Sequence, residues 1–190
     1  SKTKSPHVKK ADERKIVLSV GRLDAQKDHK TLLSAFSLIA HKFPEWDLHI
    51  VGEGLLRPKL EQEVRSLGLK NRIYLPGQIS DMDRVYADAD IFVLPSKYES
   101  FGLVVVEAFE YGLPVLGFDN CLGVNDLVCS HQNGLLVSGD GDRILALADG
   151  MATLMASEEL RKSLQYRQQD RFEKNRISNV IKLWRTLCQD

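Results

Sequence analysis

Two pairs of charged residues in this 190-residue sequence have types and spacings suited to binding an anionic, hydroxyl-rich ligand. Arg22 and Lys27 lie five residues apart in one polar segment, and seven residues separate Glu99 from Glu107 in another. A guanidinium group binds phosphate through two parallel hydrogen bonds, and an ammonium group supplies a mobile point charge. Carboxylates accept hydrogen bonds from hydroxyl groups. The two pairs therefore predict binding of a diphosphate and a hydroxyl-rich group without a metal ion.

A glycine between the two glutamates adds a second means of binding an anion. Gly102 and Leu103 fall in the first turn of a predicted helix, where backbone N–H groups have no partner within the helix. Such groups bind phosphate, and glycine lets the phosphate approach closely. We expect Glu107, roughly one turn further along, to point into the packed region between helix and sheet. Hydroxyl groups of a ligand would be good partners for a carboxylate buried there.

Both charged segments follow predicted β-strands. Short β-branched runs alternate with longer runs of helical period. We predict strands at residues 15–20, 47–51, 72–75, 91–94, 114–117 and 135–137, and helices at residues 28–41, 57–67, 83–87, 102–111 and 142 to about 188. Strands that are apolar on both faces indicate an α/β fold, with a Rossmann-like parallel sheet and helices on both faces. Ligands bind at the carboxyl ends of such strands, so the candidate loops are those after Val20, Val51, Leu75 and Leu94.

Composition predicts one globular domain and excludes some classes of protein. A net charge of zero argues against a nucleic-acid-binding protein. We expect residues 15–190 to form the domain and residues 1–14 to be a basic linker or leader. Cys121, Cys129 and Cys188 are odd in number and widely spaced, which favours reduced thiols in the cytoplasm. No uninterrupted apolar run approaches the roughly 18 to 20 residues that cross a bilayer, so we expect any membrane contact to be peripheral.

Several other motifs fit structural roles better than chemical ones. Residues 52–54 read Gly-Glu-Gly after a strand, but Arg57 stands where a dinucleotide fingerprint needs its third glycine, so we predict a turn. Asp81 and Asp83 have the spacing of a metal-binding carboxylate pair, but a helix cap accounts for this segment more simply. Residues 140–142 are likewise interpreted as a turn and helix cap. We therefore predict that the protein has no metal site.

Together these segments resemble the nucleotide-sugar domain of retaining glycosyltransferases with the GT-B fold, family 4 or group 1. The resemblance runs from about residue 16 to residue 187, and its most specific part is the spacing of Glu99 and Glu107. Its other parts are Gly21-Arg22-Leu23 with Lys27, Val51-Gly52-Glu53-Gly54, Leu75-Pro76-Gly77-Gln78 and Asn133-Gly134-Leu135-Leu136-Val137.

This resemblance implies roles for individual residues in a sugar-transfer reaction. Arg22, Lys27 and Glu99 would be the catalytic residues: the two cations would hold the donor diphosphate, and Glu99 would bind hydroxyl groups of the donor sugar. Preorganised cations stabilise the negative charge that develops on a departing nucleoside diphosphate. The family requires no dedicated metal or cofactor for this step. The resemblance implies donor contacts by Gln78 and Ile79 at the base, Glu107 at the ribose hydroxyls, and Glu99, Ser100, Phe101, Gly102 and Leu103 at the sugar and diphosphate.

The sequence departs from the usual family pattern near the predicted sugar site. Ser100 stands at a position that is often glycine, and Val104 at one that is often proline. Residues 123–126 replace a commoner glycine and proline run that ends in glutamate. These differences leave the identity of the donor sugar open.

The resemblance also implies partners beyond the donor. We expect a UDP-sugar as donor, a glycan or lipid-linked acceptor in polysaccharide or lipopolysaccharide biosynthesis, and a separate N-terminal domain that binds this acceptor. The 190-residue chain alone would then bind donor but transfer a hexosyl residue poorly. The full enzyme would be cytoplasmic, with peripheral association at the inner face of the membrane. Three alternatives stay open: a glycosidase that uses Glu99 and Glu107 as acid and base, a non-catalytic sugar-nucleotide-binding module, and a sugar-nucleotide epimerase.

Overall fold

The chain forms a six-stranded parallel sheet, with a helix between successive strands except the last two. The computed structural model describes residues 14–165. Its strands are β1 (Lys15–Val20), β2 (Trp46–Val51), β3 (Ile73–Gly77), β4 (Ile91–Leu94), β5 (Val115–Phe118) and β6 (Gly134–Val137). Its helices are α1 (His29–Ile39), α2 (Arg57–Ser66), α3 (Met82–Ala87), α4 (Leu103–Glu110) and α5 (Arg143–Ala156), and residues 158–165 are also helical.

The order of the strands creates a switch point in the middle of the sheet. All neighbouring strands are parallel, in the order β3-β2-β1-β4-β5-β6. The chain therefore runs from β1 outward to β3, and then returns to place β4 on the other side of β1. Because crossovers between parallel strands are right-handed, α1 and α4 cover opposite faces of the sheet. This confirms the predicted Rossmann-like fold, and it brings the loops after β1 and β4 to one edge.

The core lies on both sides of the central strands. Every residue of β4 and β5 is buried, as expected for parallel strands that helices cover on each face. The largest fully buried side chains include Phe36, Trp46, Phe92 and Phe118. Replacing one such ring by alanine costs about 3–5 kcal/mol in a typical core. The site described below is therefore built on a rigid base.

Aspartates that could suggest metal binding instead cap helices. The Asp81 carboxylate accepts a hydrogen bond from the Arg84 N–H at 3.2 Å, at the start of α3. The Asp142 carboxylate accepts hydrogen bonds from the N–H groups of Ile144 and Leu145, at 3.0 and 3.1 Å, at the start of α5. Side-chain caps of this kind satisfy N–H groups that the helix itself leaves unbonded. Both cap interpretations are confirmed.

The Gly-Glu-Gly segment is a turn, as predicted. Gly52 has a φ of 144°, which strongly favours glycine. A Cβ atom at Gly52 would lie only 2.0 Å from the carbonyl oxygen of Gly21, so the turn after β2 packs directly against the turn after β1. Glycine is needed here for close contact between the two loops.

Three of the sequence predictions concern residues outside the described range. They are the basic segment before residue 14, the predicted C-terminal helices beyond residue 165, and Cys188. Arg14 is described, and its guanidinium group binds the buried Asp47 carboxylate through contacts of 2.5 and 2.8 Å.

Within the described part of the chain, no helix combines the length and the apolar character that crossing a membrane requires.

Candidate functional site

A buried ion pair joins the two charged segments that the sequence singled out. Lys27 Nζ, in the loop after β1, lies 2.6 Å from Glu99 Oε1, in the loop after β4. The two side chains are only 12% and 9% exposed. Ser96 Oγ also donates a hydrogen bond to Glu99 Oε1, at 2.6 Å. The structure thus brings Lys27 and Glu99 into direct contact, and it adds Ser96, which the sequence analysis did not identify.

Hydrogen bonds to backbone carbonyl oxygens hold these two loops together. The Lys97 N–H donates to the carbonyl oxygen of Gln26, and the Gln26 side-chain amide donates to the carbonyl oxygen of Tyr98, both at 2.9 Å. Within the first loop, Asp24 Oδ1 accepts hydrogen bonds from the N–H groups of Gln26 and Lys27. The position of the Lys27 ammonium group is therefore set by a structured turn as well as by Glu99.

An open cavity of about 350 Å³ lies beside this ion pair. Four of the predicted site residues, Arg22, Gln78, Ile79 and Glu107, line it. Gly21 connects the cavity to the ion pair, because a Cβ atom at Gly21 would lie 3.0 Å from Lys27 Cε. The remaining lining residues are Val20, Gly21, Val51, Gly52, Glu53 and Met82.

Arg22 is accessible to a ligand in this cavity. Its side chain is 75% exposed, and its guanidinium group lies 3.4 Å from Asp24 Oδ2. An exposed ion pair at this distance contributes little to stability, about 0–1 kcal/mol. Arg22 can therefore turn toward an anion at small cost, whereas Lys27 is already held in place.

The prediction that Glu107 points into packed protein is wrong. Glu107 is exposed and lines the cavity, while Val105, Ala108 and Phe109 form the buried face of α4. The reason is geometric: Ala108 and Phe109 take the positions of α4 that face the sheet, which leaves Glu107 at the edge of the helix. Its Oε2 atom accepts a hydrogen bond of 2.6 Å from the hydroxyl group of Tyr86 in α3. No sequence motif pointed to Tyr86.

Gly102 begins α4 in a conformation that favours glycine. Its φ is 62°, and a Cβ atom there would lie 3.0 Å from the carbonyl oxygen of Gly123. The same segment after β5 contacts the site again, because the Glu99 N–H donates to the carbonyl oxygen of Leu122 at 3.2 Å. Glu99 and the start of α4 are therefore both held by the segment after β5.

The outer side of the β4–α4 loop is apolar and exposed. Ser100 is exposed, and Tyr98, Phe101, Leu103 and Leu122 have 60–71% of their surface accessible. We call these four large side chains the apolar rim. Of the residues predicted for donor binding, Ser100, Phe101, Gly102 and Leu103 do not line the cavity; they lie along the loop and helix start that begin at Glu99. Lys27 and Glu99 are not among the lining residues either.

Arg143, at the start of α5, supports the site and was not identified from the sequence. Its Nη2 atom donates to the carbonyl oxygens of Pro95 and Ser96 at 3.0 and 3.4 Å, and lies 3.7 Å from the Asp28 carboxylate. Its guanidinium carbon stacks 3.7 Å from the Phe118 ring centroid. An arginine at a helix N-terminus opposes the helix dipole, and this unfavourable position was the available sequence signal.

His29, the first residue of α1, is buried directly behind the Lys27 loop. It is 2% exposed, and neither ring nitrogen has a hydrogen-bond partner among the described residues. Burial, and secondarily the charge of Lys27, lower the pKa of His29 to about 4. The imidazole is therefore neutral at pH 7, so His29 does not add a second positive charge beside Lys27.

The described residues contain no candidate metal centre. Nowhere in residues 14–165 do three or more His, Cys, Asp or Glu side chains come together in a group that could hold a metal ion. That donor binding requires no metal stays a prediction.

Comparison with known proteins places this geometry in a family. The family model described as "Glycosyl transferases group 1" matches residues 1–171. The chain belongs to the glycosyl transferases group 1 family. An uncharacterised glycosyltransferase of Haemophilus influenzae is 31% identical over 173 residues, which cover 91% of this chain and 48% of that protein. This chain therefore spans about half the length of that relative.

Solved structures of glycosyltransferases share the fold. A variant of Staphylococcus aureus TarM, in complex with fondaparinux, α-GlcNAc-glycerol and UDP, aligns with a TM-score of 0.80 and 24% identity, over 98% of this chain and 38% of that chain. The C-terminal domain of LpcC, a group 1 protein from Francisella tularensis, aligns with a TM-score of 0.74 and 24% identity, over 86% of this chain and 87% of that one. The predicted GT-B domain fold is confirmed.

Proposed function

We propose that this chain is the donor-binding domain of a retaining glycosyltransferase, which transfers a hexosyl residue from a UDP-sugar to a glycan or lipid-linked acceptor. The observation that carries the proposal is the Lys27–Glu99 ion pair beside the cavity, at the edge of the sheet where β1 and β4 are neighbours. Open α/β sheets bind ligands at this switch point. Membership of the glycosyl transferases group 1 family supports the same reaction class.

In the proposed complex, the two cations hold the diphosphate from different positions. Lys27 is buried and oriented by Glu99. Arg22 is exposed and approaches the diphosphate from the wall of the cavity. Breakage of the sugar–phosphate bond leaves additional negative charge on the departing diphosphate. Cations that are already in place stabilise this charge without reorganisation, which lowers the barrier.

Glu99 connects the diphosphate to the sugar in this proposal. One of its carboxylate oxygens, Oε1, is held by Lys27 and Ser96. The other oxygen can then accept hydrogen bonds from hydroxyl groups of the donor sugar. The start of α4, at Gly102 and Leu103, would add backbone N–H groups to the diphosphate site.

The cavity provides the proposed nucleoside site. Its volume of about 350 Å³ lies in the range of small-molecule sites. Gln78 and Ile79 would contact the base, and Glu107 would accept hydrogen bonds from the ribose. We favour UDP because the TarM protein, which shares this fold, was solved with UDP.

The apolar rim supports a proposal for what covers the open side of the site. Its four large side chains are unusual on a solvent-facing surface beside a polar site. We propose that the acceptor-binding domain of the full enzyme lies against this side, and that the 190-residue chain alone transfers sugar poorly. We further propose that the enzyme works in the cytoplasm, with peripheral association at the membrane where its acceptor is lipid-linked.

Calorimetric titration with UDP, GDP and ADP tests donor binding directly. We expect UDP to bind, and Arg22→Ala to weaken UDP binding about tenfold, because one charge-assisted phosphate contact is lost. Arg84→Ala is the matched control, because the Arg84 side chain is equally accessible, at 80%, and is paired with Asp88 outside the cavity. Failure of all three nucleotides to bind at millimolar concentration, or equal effects of the two variants, would contradict the proposal.

The other candidate functions predict different products. A non-catalytic module would bind UDP-sugar without transfer when the full-length protein is assayed with acceptors. An epimerase would change the donor sugar in the absence of acceptor, and a glycosidase would hydrolyse a simple aryl glycoside. Product analysis of the full-length protein with and without acceptor separates these outcomes.

A further inference from the structure

The buried residue Tyr86 contacts Glu107, which lies in the cavity wall. The Tyr86 hydroxyl group donates to Glu107 Oε2 at 2.6 Å. Tyr86 is 2% exposed, whereas Glu107 is exposed and lines the cavity. A buried hydroxyl group therefore donates a hydrogen bond to one oxygen of a carboxylate that a ligand can contact.

The Tyr86 ring has little freedom to move. It stacks against Tyr111, with centroids 5.5 Å apart and an interplanar angle of 18°, and it also contacts Phe92, with centroids 6.0 Å apart. Burial, together with the hydrogen bond to Glu107, raises the pKa of Tyr86 far above its usual value. The hydroxyl group therefore keeps its proton and acts as a fixed donor at any physiological pH.

This donor restricts a side chain that would otherwise sample several rotamers. An exposed glutamate loses conformational entropy when it is ordered, and this loss normally reduces the affinity of any ligand that it binds. Because Tyr86 already orders the carboxylate through Oε2, Oε1 is directed without that loss on binding. Preorganisation of this kind increases both affinity and selectivity.

We propose that Tyr86 is a positioning residue that aims Glu107 at the ribose hydroxyl groups, and so makes the site select ribonucleotides over deoxyribonucleotides. This inference rests on the proposed function, because it assumes that a nucleoside diphosphate occupies the cavity. It assigns to α3 a role in choosing the donor, although no residue of α3 is required for binding the diphosphate.

The test measures binding of UDP, 2′-deoxy-UDP and 3′-deoxy-UDP by calorimetry to the 190-residue chain. The discrimination factor is the larger of the two ratios of deoxy-UDP to UDP dissociation constants. We expect a factor of about ten or more, since a hydrogen bond to a charged group is lost with the hydroxyl. Tyr86→Phe should reduce this factor at least threefold. Tyr111→Phe is the matched control, because its hydroxyl group donates to Asp83 rather than to Glu107.

A double-mutant cycle separates positioning from a general structural effect. In the Glu107→Gln background, discrimination should already be lost, so adding Tyr86→Phe should not lower it further. Thermal unfolding of each variant identifies any loss of folded protein, and the Glu107→Gln variant still tests the ribose contact if Tyr86→Phe does not fold. Full discrimination in Tyr86→Phe, or unchanged discrimination in Glu107→Gln, would overturn the inference while UDP binding itself persists. Absence of UDP binding to the unmodified chain would overturn the proposed function as well, so the two failures are distinguishable.

Discussion

Lys27 Nζ and Glu99 Oε1 lie 2.6 Å apart, although the two residues are 72 positions apart in the chain. The contact exists because β1 and β4 are adjacent in the sheet and their following loops emerge side by side. Both side chains are largely buried, so each charge depends on the other for compensation. The pair therefore contributes both to the stability of the domain and to the geometry of its proposed diphosphate site.

Removal of one partner of this pair should destabilise the domain more than removal of both. Lys27→Met or Glu99→Gln alone leaves a buried charge or polar group without its partner, and we expect each to lower the free energy of unfolding by about 2–3 kcal/mol. The double variant should lose less than either single variant, and therefore less than the sum of the two single losses. Urea denaturation followed by circular dichroism measures all four states of this cycle.

The exposed pair Lys162 and Glu158 provides the control for that cycle. These side chains lie 2.7 Å apart but are 71% and 63% exposed. The corresponding variants, Lys162→Met and Glu158→Gln, should have no measurable coupling, because solvent screens exposed ion pairs. Additive effects at Lys27 and Glu99 would show that their ion pair is no more important than this surface pair.

Burial of His29 should make stability depend on pH between about 6.5 and 4. Its pKa falls from 6.5 to about 4 on folding, so the unfolded state binds a proton more readily than the folded state. Both states are neutral at His29 above pH 6.5, and stability is lost progressively as the pH falls from there toward 4. The largest possible loss from this group is about 3 kcal/mol.

Chemical denaturation at several pH values measures this effect. Between pH 7 and pH 4.5, the free energy of unfolding should decrease less in the His29→Gln variant than in the unmodified chain. His41→Gln is the control, since His41 is exposed and lies shortly after the end of α1. If the His29 and His41 variants follow the same pH profile, His29 is not the group responsible.

Arg143 should support the donor site through the β4–α4 loop. Arg143→Lys keeps the positive charge, but an ammonium group cannot stack on Phe118 while donating to the carbonyl oxygens of Pro95 and Ser96. We expect a stability loss of about 1–2 kcal/mol. We also expect weaker binding of UDP-glucose, because Ser96 helps to orient Glu99.

The matched control for Arg143 is Arg65→Lys, an exposed position in α2. Thermal unfolding and calorimetric titration with UDP-glucose measure the two expected effects separately. A stability loss with unchanged UDP-glucose affinity would show that Arg143 supports the fold alone and does not orient Glu99.

Local sequence patterns predicted nearly all of the described secondary structure. Strand and helix ends agree to within two residues, and β1 at Lys15–Val20 and β4 at Ile91–Leu94 agree at both ends. The exception is the predicted C-terminal helical region, in which α5 ends at Ala156. Such elements could be predicted because apolar periodicity, β-branched runs and glycine turns act over a few neighbouring residues. The Asp81 and Asp142 caps were predictable for the same reason.

The relative placement of the site residues depended on tertiary structure. Contact between Lys27 and Glu99 requires β1 and β4 to be neighbours, and the surface position of Glu107 follows from which residues of α4 the sheet covers. Tyr86 had one indirect signal, because a buried tyrosine hydroxyl needs a hydrogen-bond partner. Its partner, however, lies 21 residues further along, on another helix.

By itself, the sequence determined the α/β fold, the resemblance to group 1 glycosyltransferases and the residue types available at the edge of the sheet. These properties depend on local periodicity and short motifs, which persist whatever the long-range packing. Tertiary structure alone decided that Glu99 neutralises Lys27, that Arg22 stays accessible and that Tyr86 holds Glu107. Those relationships arise from strand order and burial, which bring residues far apart in the chain to one edge of the sheet and remove some of them from water.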